Sequence, residues 1–407
     1  MKKNYFKKIV KYAKKVFDIE RILRNLSDCR KNPTYKTNEV VLLVLMGFLL
    51  RTRSFNNLNN MIKDDDFRNI LPKGAKAPRI DAIRDTLKVI VPDGLRDILK
   101  HGVRKTRENK VFDNGTIDGL VVTAIDGTQT FNSDKKNCEN CLIAFKKRKV
   151  EERNFHSSVV LSTVGGVAKL VIDFEPYRAG IDEATKDEGE LTTAKRLLKR
   201  VSKNHKNFVD VVVYDAIACN SKWINACVEA GLDTVVRVKK NNNESINSIR
   251  KKVNKSDEVA IWRDIEGYEN VKVYEGYFQM KNVEKELRFI KFLMKKPDGK
   301  RVQIMIVTTC LDMSLRTLFK IIRARQDIEN SIFHNLKTEC GLEHCFVHGG
   351  NAIEAVLCLI FIASNILQLF YHRRLKRVLQ TQVELVRQLV KGLYTLKRDD
   401  ELIFKTG

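Results

Sequence analysis

The sequence predicts an α/β chain: a helical head, a mixed α/β core interrupted by a block of strands, and a helical end. Three observations carry this. Residues 1–112 place apolar side chains at helical spacing and hold few strand signals. A short β-branched run begins at Leu120, and further runs follow it with a helical stretch between them. Past Asp233 the chain alternates apolar and polar residues until helical spacing returns near Ser314. The limits drawn from these changes are 1–112 (helical), 113–232 (first part of the core), 233–310 (β-rich insertion) and 311–407 (rest of the core and a basic helical tail).

In the head, Asn38-Glu39 opens an apolar run, Pro78-Arg79-Ile80-Asp81 starts another helix, and Pro92 punctuates the next. The core begins with the strand Leu120 to Ile125, expected to stop at the turn Asp126-Gly127-Thr128. Strands are expected at Ser157 to Thr163, Val167 to Phe174 and Asp210 to Tyr214, with a helix from Leu191 to Val201. The β-rich block supplies Thr234 to Val238, Val259 to Trp262, Val271 to Tyr274, Leu287 to Ile290 and Val302 to Val307. Ser314 is a fitting N-cap for a helix running on through Arg325, Glu329 and Phe333, and a long apolar helix begins at Ala352.

The 407 residues carry 75 Lys+Arg against 50 Asp+Glu, a formal net charge of +25. With 43% hydrophobic residues and six prolines, wholesale disorder, collagen and porin architectures are excluded. Basic residues recur along the whole chain, which points to a polyanionic partner, above all nucleic acid. Nine scattered cysteines, an odd number, argue for reduced thiols in a cytosol. The N-terminal residues mix lysines with Phe6, Ile9, Val10 and Phe17, unlike a secretory signal. Ala352 to Tyr371 approaches the length of a membrane span but contains Glu354, Asn365 and Gln368, so a buried helix and no membrane partner are expected.

Three acids stand where metal-assisted chemistry would place them. Asp126 and Asp215 end strands, and Glu329 lies on a helix after the β block. Strand ends that face one edge of a sheet converge however far apart they are in sequence. Clustered carboxylate oxygens bind hard divalent cations, and a two-metal pair serves phosphoryl transfer. Taken singly, Asp126-Gly127 is a turn signal, and Glu329 pairs with Arg325 at i−4 as many exposed helix residues do. The combination carries the information.

Ala124-Ile125-Asp126-Gly127-Thr128, Val213-Tyr214-Asp215-Ala216, the β block and the stretch from Arg325 to Lys337 together resemble the DDE transposases of bacterial insertion sequences, in particular the group with a β-strand insertion between the second Asp and the Glu. The resemblance covers about residues 115 to 370. It implies an RNase H-like mixed-sheet core that cleaves phosphodiesters at element ends and transfers strands into target DNA. It also implies Asp126, Asp215 and Glu329 as ligands of two Mg²⁺ or Mn²⁺ ions, with Arg325 as the arginine four before the Glu. Double-stranded DNA as partner, a homodimer on that DNA and a bacterial cytosolic or nucleoid location follow from the same likeness. The group often has a Tyr three before this Arg, here Ile322, and a Lys seven after the Glu, here Leu336; Lys337 stands one place further on. On an ideal α-helix that eighth residue is turned by about 80° from Glu329.

Cys138-Glu139-Asn140-Cys141 has the spacing of half a zinc site. Cys340, His344, Cys345 and His348 are candidates for the other half, with His344 and His348 at the spacing of one helix face, although Gly349-Gly350 signals a loop. His156, at the start of a strand, could contact DNA or a metal, and a half-buried structural role is commoner. The run Lys146, Lys147, Arg148 and Lys149 could hold a phosphate backbone, as could Lys337. Trp223 and Trp262 are expected in the core. Two other readings stand beside the transposase: a metal-dependent nuclease that cuts without joining, and a non-catalytic DNA-binding relic or regulator stabilised by zinc.

Overall fold

The computed structural model describes residues 4–72, 74–145, 152–180, 187–239 and 243–396. The run Lys146 to Lys149 lies outside them. Among the described residues ten strands form one mixed sheet: β1 (Val122–Ser133), β2 (Leu142–Phe145), β3 (Glu152–Thr163), β4 (Val171–Pro176), β5 (Val211–Tyr214), β6 (Asp233–Val238), β7 (Ala260–Ile265), β8 (Tyr268–Phe278), β9 (Leu287–Lys295) and β10 (Arg301–Thr308). Along β4-β3-β1-β5-β6, the first two pairings are antiparallel and the last two parallel. β2 adds to the far part of β3.

The strands past residue 233 continue this sheet. β6, the first of them, pairs parallel with β5, and β10 then pairs antiparallel with β6. β9, β8 and β7 follow as a meander. Inside the β-rich block the structure also holds a helix, Glu244–Val253, that the alternating pattern concealed. Ile246, Ile249 and Val253 give it a buried face, and the Asn243 side chain caps it by accepting from the Ile246 N–H.

β1 runs straight through Asp126-Gly127-Thr128, correcting the expected turn. Its second half pairs with β3 as far as Ser133↔Asn154, with a register shift between Gln129 and Phe131, so ladder bonds outweigh the local turn preference. The strand expected from Val167 starts instead at Val171, because Gly165 (φ +79°) turns the chain and Val167 is exposed. Ser314 caps the helix Leu315–Ala324 as expected, accepting from the Thr317 N–H.

The helical head packs around the helix Ala352–Phe370. This helix is long and apolar enough to cross a membrane, yet 78% of its most apolar window is buried in the fold. Two of its polar residues are engaged inside. Asn365 accepts from the Val171 N–H at 2.9 Å and donates to the Val171 carbonyl at 2.7 Å, and Glu354 pairs with Arg96 at 2.6 Å. Phe48 meets Phe346 edge-on at 5.1 Å, and Tyr12 packs on Phe370 at 5.4 Å. Asn4, the N-cap of Tyr5–Phe17, donates to the Gly392 carbonyl, tying head to tail. Both tryptophans are buried, Trp223 donating to Thr234 Oγ1 at 3.1 Å.

Candidate active site and metal centre

Parallel pairing of β1 with β5 brings two acids to one level. Ala124 is in register with Val213, and Asp126 and Asp215 each follow two residues later, at the carboxyl end of the shared ladder. Two steps along a strand restore the same face, so both carboxylates issue from one edge on one side. Asp215 then caps the short turn Ala216–Ala218, its Oδ1 accepting from the Ile217 N–H at 2.8 Å, while Lys239 Nζ lies 3.6 Å from its Oδ2.

Glu329 reaches this edge from the helical segment that follows Leu315–Ala324. The buried Arg325 donates from Nη2 to Glu329 Oε1 at 2.7 Å, and its Nη1 stands 4.0 Å from Asp126 Oδ2. One guanidinium thus spans the strand-borne and the helix-borne acid. The segment is held to the hairpin of β3 and β4 by Asp327, which accepts from the Gly165 N–H at 2.9 Å and pairs with Lys169 at 2.9 Å. Lys169 also donates to Ser331 Oγ.

From Ile328 to Phe333 the helix is π-wound. Each i→i+5 turn takes in one residue more than an α turn, so later side chains fall behind the ideal α register. Lys337 is therefore turned back toward the face of Glu329, where an ideal helix would place Leu336. Leu336 is buried, and Lys337, which pairs with Glu343 at 2.8 Å, is more open.

A fourth carboxylate, missed in the sequence, completes the surroundings. Glu190 opens the helix Glu190–Asn204, and its Oε1 accepts from the Tyr214 hydroxyl at 2.8 Å. A Cβ on Gly127 would come 2.8 Å from the Tyr177 hydroxyl and 2.9 Å from Glu190 Oε2, so the glycine after Asp126 makes room for that pair. Its available signal was an acid in the first turn of a helix, which helix electrostatics explains equally well. Burial pushes the Asp126 carboxyl up to about 7, an effect that Arg325 partly offsets and that the Glu190 and Glu329 charges reinforce. Oxygen-only and half-buried to exposed, with Arg325 and Lys239 beside it, this donor set suits a hard divalent cation such as Mg²⁺ or Mn²⁺.

A second cluster lies apart from the acids. Cys138, Cys141, His156 and His348 bring their ligand atoms within 4.8 Å of one another. His156 takes the place expected for His344, a correction with a clear cause. Residues 341–351 form a loop with Gly341, Gly349 and Gly350 at positive φ, so four-residue spacing does not align His344 with His348. The His344 ring instead packs perpendicular to Phe346 at 4.8 Å. Burial pushes the Cys141 thiol up to about 11 and the His156 imidazole down to about 4, the latter with help from His348.

The antiparallel-then-parallel order β4-β3-β1-β5-β6, with helices packed against it, defines an RNase H-like mixed-sheet core. The chain belongs to the transposase DDE domain family, which matches residues 120–366, more than half of its length. The process this family belongs to is DNA transposition and recombination. No curated protein matches the chain.

Proposed function

We propose that the protein is an insertion-sequence transposase that cleaves phosphodiesters at element ends and joins the freed 3′-hydroxyl to target DNA. The observation that carries this reading is the span of Arg325 between Asp126 on β1 and Glu329 on the returning helix, with Asp215 level with Asp126 on the next strand. Asp126, Asp215 and Glu329 would hold two Mg²⁺ or Mn²⁺ ions. When bound, such ions activate the attacking oxygen and stabilise the leaving one. Arg325 fixes the Glu329 carboxylate, and Asp327 with Lys169 fixes the helix that presents it.

DNA binding draws support from the charge of +25 and from its arrangement. Lys15 and Lys105 of the head line one groove with Arg373 and Arg374 of the tail. We assign that groove, residues 1–112 more broadly, and Lys337 to double-stranded DNA, with a homodimer pairing two element ends in the bacterial cytosol.

The test is incubation of the full chain with DNA carrying the terminal repeats that flank its coding region, with Mg²⁺, with Mn²⁺ or without either, beside Asp126→Asn. Metal-dependent cutting and joined products, both lost in the variant, are expected. Cutting without joining would reduce the protein to a nuclease, and binding without cutting would make it a relic or regulator.

A further inference from the structure

We propose that Cys138, Cys141, His156 and His348 bind a structural Zn²⁺ that clasps the segment following Glu329 onto the strands that carry Asp126. A tetrahedral zinc with Zn–S bonds of about 2.3 Å and Zn–N bonds of about 2.0–2.1 Å requires S···S near 3.8 Å and S···N near 3.5 Å. The thiol sulfurs of Cys138 and Cys141 stand 3.7 Å apart. Cys138 Sγ lies 3.5 Å from His156 Nε2, and Cys141 Sγ lies 3.2 Å from His156 Nε2 and 3.3 Å from His348 Nε2. Four atoms from three separate stretches of chain thus match four of the six edges of one coordination tetrahedron, and the other two separations are at most 4.8 Å. The S···S separation is far beyond the roughly 2.05 Å of a disulfide, so the pair is arranged as ligands and not as a crosslink.

The surroundings are those of a built site. Cys141 N–H donates to the Cys138 carbonyl at 3.0 Å and Cys138 N–H points to Cys141 Sγ at 3.3 Å, which winds the four residues into a turn with both sulfurs inward. Phe131 on β1 packs against both imidazoles, at 4.9 Å from His348 and 6.0 Å from His156. Four protein ligands close the coordination sphere and leave no position for water or substrate, the mark of a structural and not a catalytic zinc.

The connectivity gives the metal its task. Cys138 and Cys141 lie between β1 and β2, and His156 lies on β3, whose partner β1 carries Asp126. His348 belongs to the loop between the helices His334–Cys340 and Ala352–Phe370, downstream of Glu329. Between the two halves of the quartet the chain makes its long excursion through β7 to β10. A zinc here fastens the returning chain to the sheet edge at one point, with Arg325 and Asp327 fastening it at others.

The experiment is elemental analysis of the full chain purified without added metal, with Cys141→Ser, His156→Ala, His348→Ala, His344→Ala and Cys345→Ser beside it. Wild type, His344→Ala and Cys345→Ser are expected to carry stoichiometric zinc, and the other three to lose most of it and melt at lower temperature. Because a ligand variant can fail to fold, Co²⁺ replacement in the wild type supplies a second readout. Intense visible d–d bands with a near-ultraviolet thiolate charge-transfer band are expected. Wild type with neither zinc nor a tetrahedral cobalt spectrum would overturn the proposal, as would zinc kept by His348→Ala and lost by His344→Ala. Neither readout depends on DNA cleavage, so failure here and failure of the transposase reading are separable.

Discussion

At Asp126 a single side chain couples fold, charge and chemistry. An unfolded aspartate ionises near 3.8, whereas burial pushes this one up to about 7. Between those values the metal-free fold keeps a proton that the unfolded chain has released, so its stability falls as pH rises through the window. Asp126→Asn removes that cost. In Mg²⁺-free buffer the variant should melt with wild type below pH 4 and above it at pH 8, while cleavage falls by about a thousandfold or more if several kcal/mol of metal-assisted stabilisation are lost. Wild-type cleavage should climb with pH through neutrality, because only the ionised carboxylate is a ligand. Glu190→Gln deletes a negative charge that raises the Asp126 pKa, so the rising limb of that pH profile should move toward acid; an unmoved limb would detach Glu190 from the site. The pairing of Arg325 with Glu329 was legible in the Arg-x-x-x-Glu spacing, and the strand of Asp126 in the β-branched run before it, although that strand does not end there. Glu190 was not, since only the close approach over Gly127 reveals it.

At the scale of elements, most of the order was legible where periodicity was strong, as in β9, β10 and the helix Leu315–Ala324. Besides the helix Glu244–Val253, two features were hidden for physical reasons. β1 continues past Asp126 because pairing with β3 overrides a local turn signal, and no single-strand pattern contains the partner. The π turn at Ile328–Phe333 is equally silent, since its apolar spacing reads as ordinary helix. Its effect is to return Lys337 to the side of Glu329 that ideal winding denies it. If Lys337 reaches a phosphate there, Lys337→Ala should weaken DNA binding for all sequences alike and lower the slope of log affinity against log salt by about one. Leu336→Ala, in contrast, empties a buried position and should cost about 2–5 kcal/mol in denaturant unfolding. A salt slope unchanged in Lys337→Ala would remove this lysine from the interface.

The molecule as a whole is joined by charge buried between its parts. Arg96, on the head helix Pro92–Glu108, reaches Glu354 of the helix Ala352–Phe370 at 2.6 Å, Asp173 of β4 at 2.9 Å and the Phe174 carbonyl at 2.8 Å. Its guanidinium also lies over the Phe174 ring at 4.3 Å. Arg200 engages Asp173 from the other side, and Arg196 holds Glu175 and Glu188. None of this was readable in sequence, where Arg96 looked like one more basic residue in a chain with +25 to distribute. Arg96 sets the head against the sheet. Arg96→Ala would strand the buried Asp173 with fewer partners and should destabilise the fold by about 3–5 kcal/mol, read from the shift of the urea midpoint. Arg84→Ala, which breaks the more exposed pair with Asp81 at 3.1 Å, should move that midpoint little. If head and core unfold as one unit, Arg96→Ala should shift a single transition; a separate early transition confined to the head would show that the core holds its sheet and its acids without it.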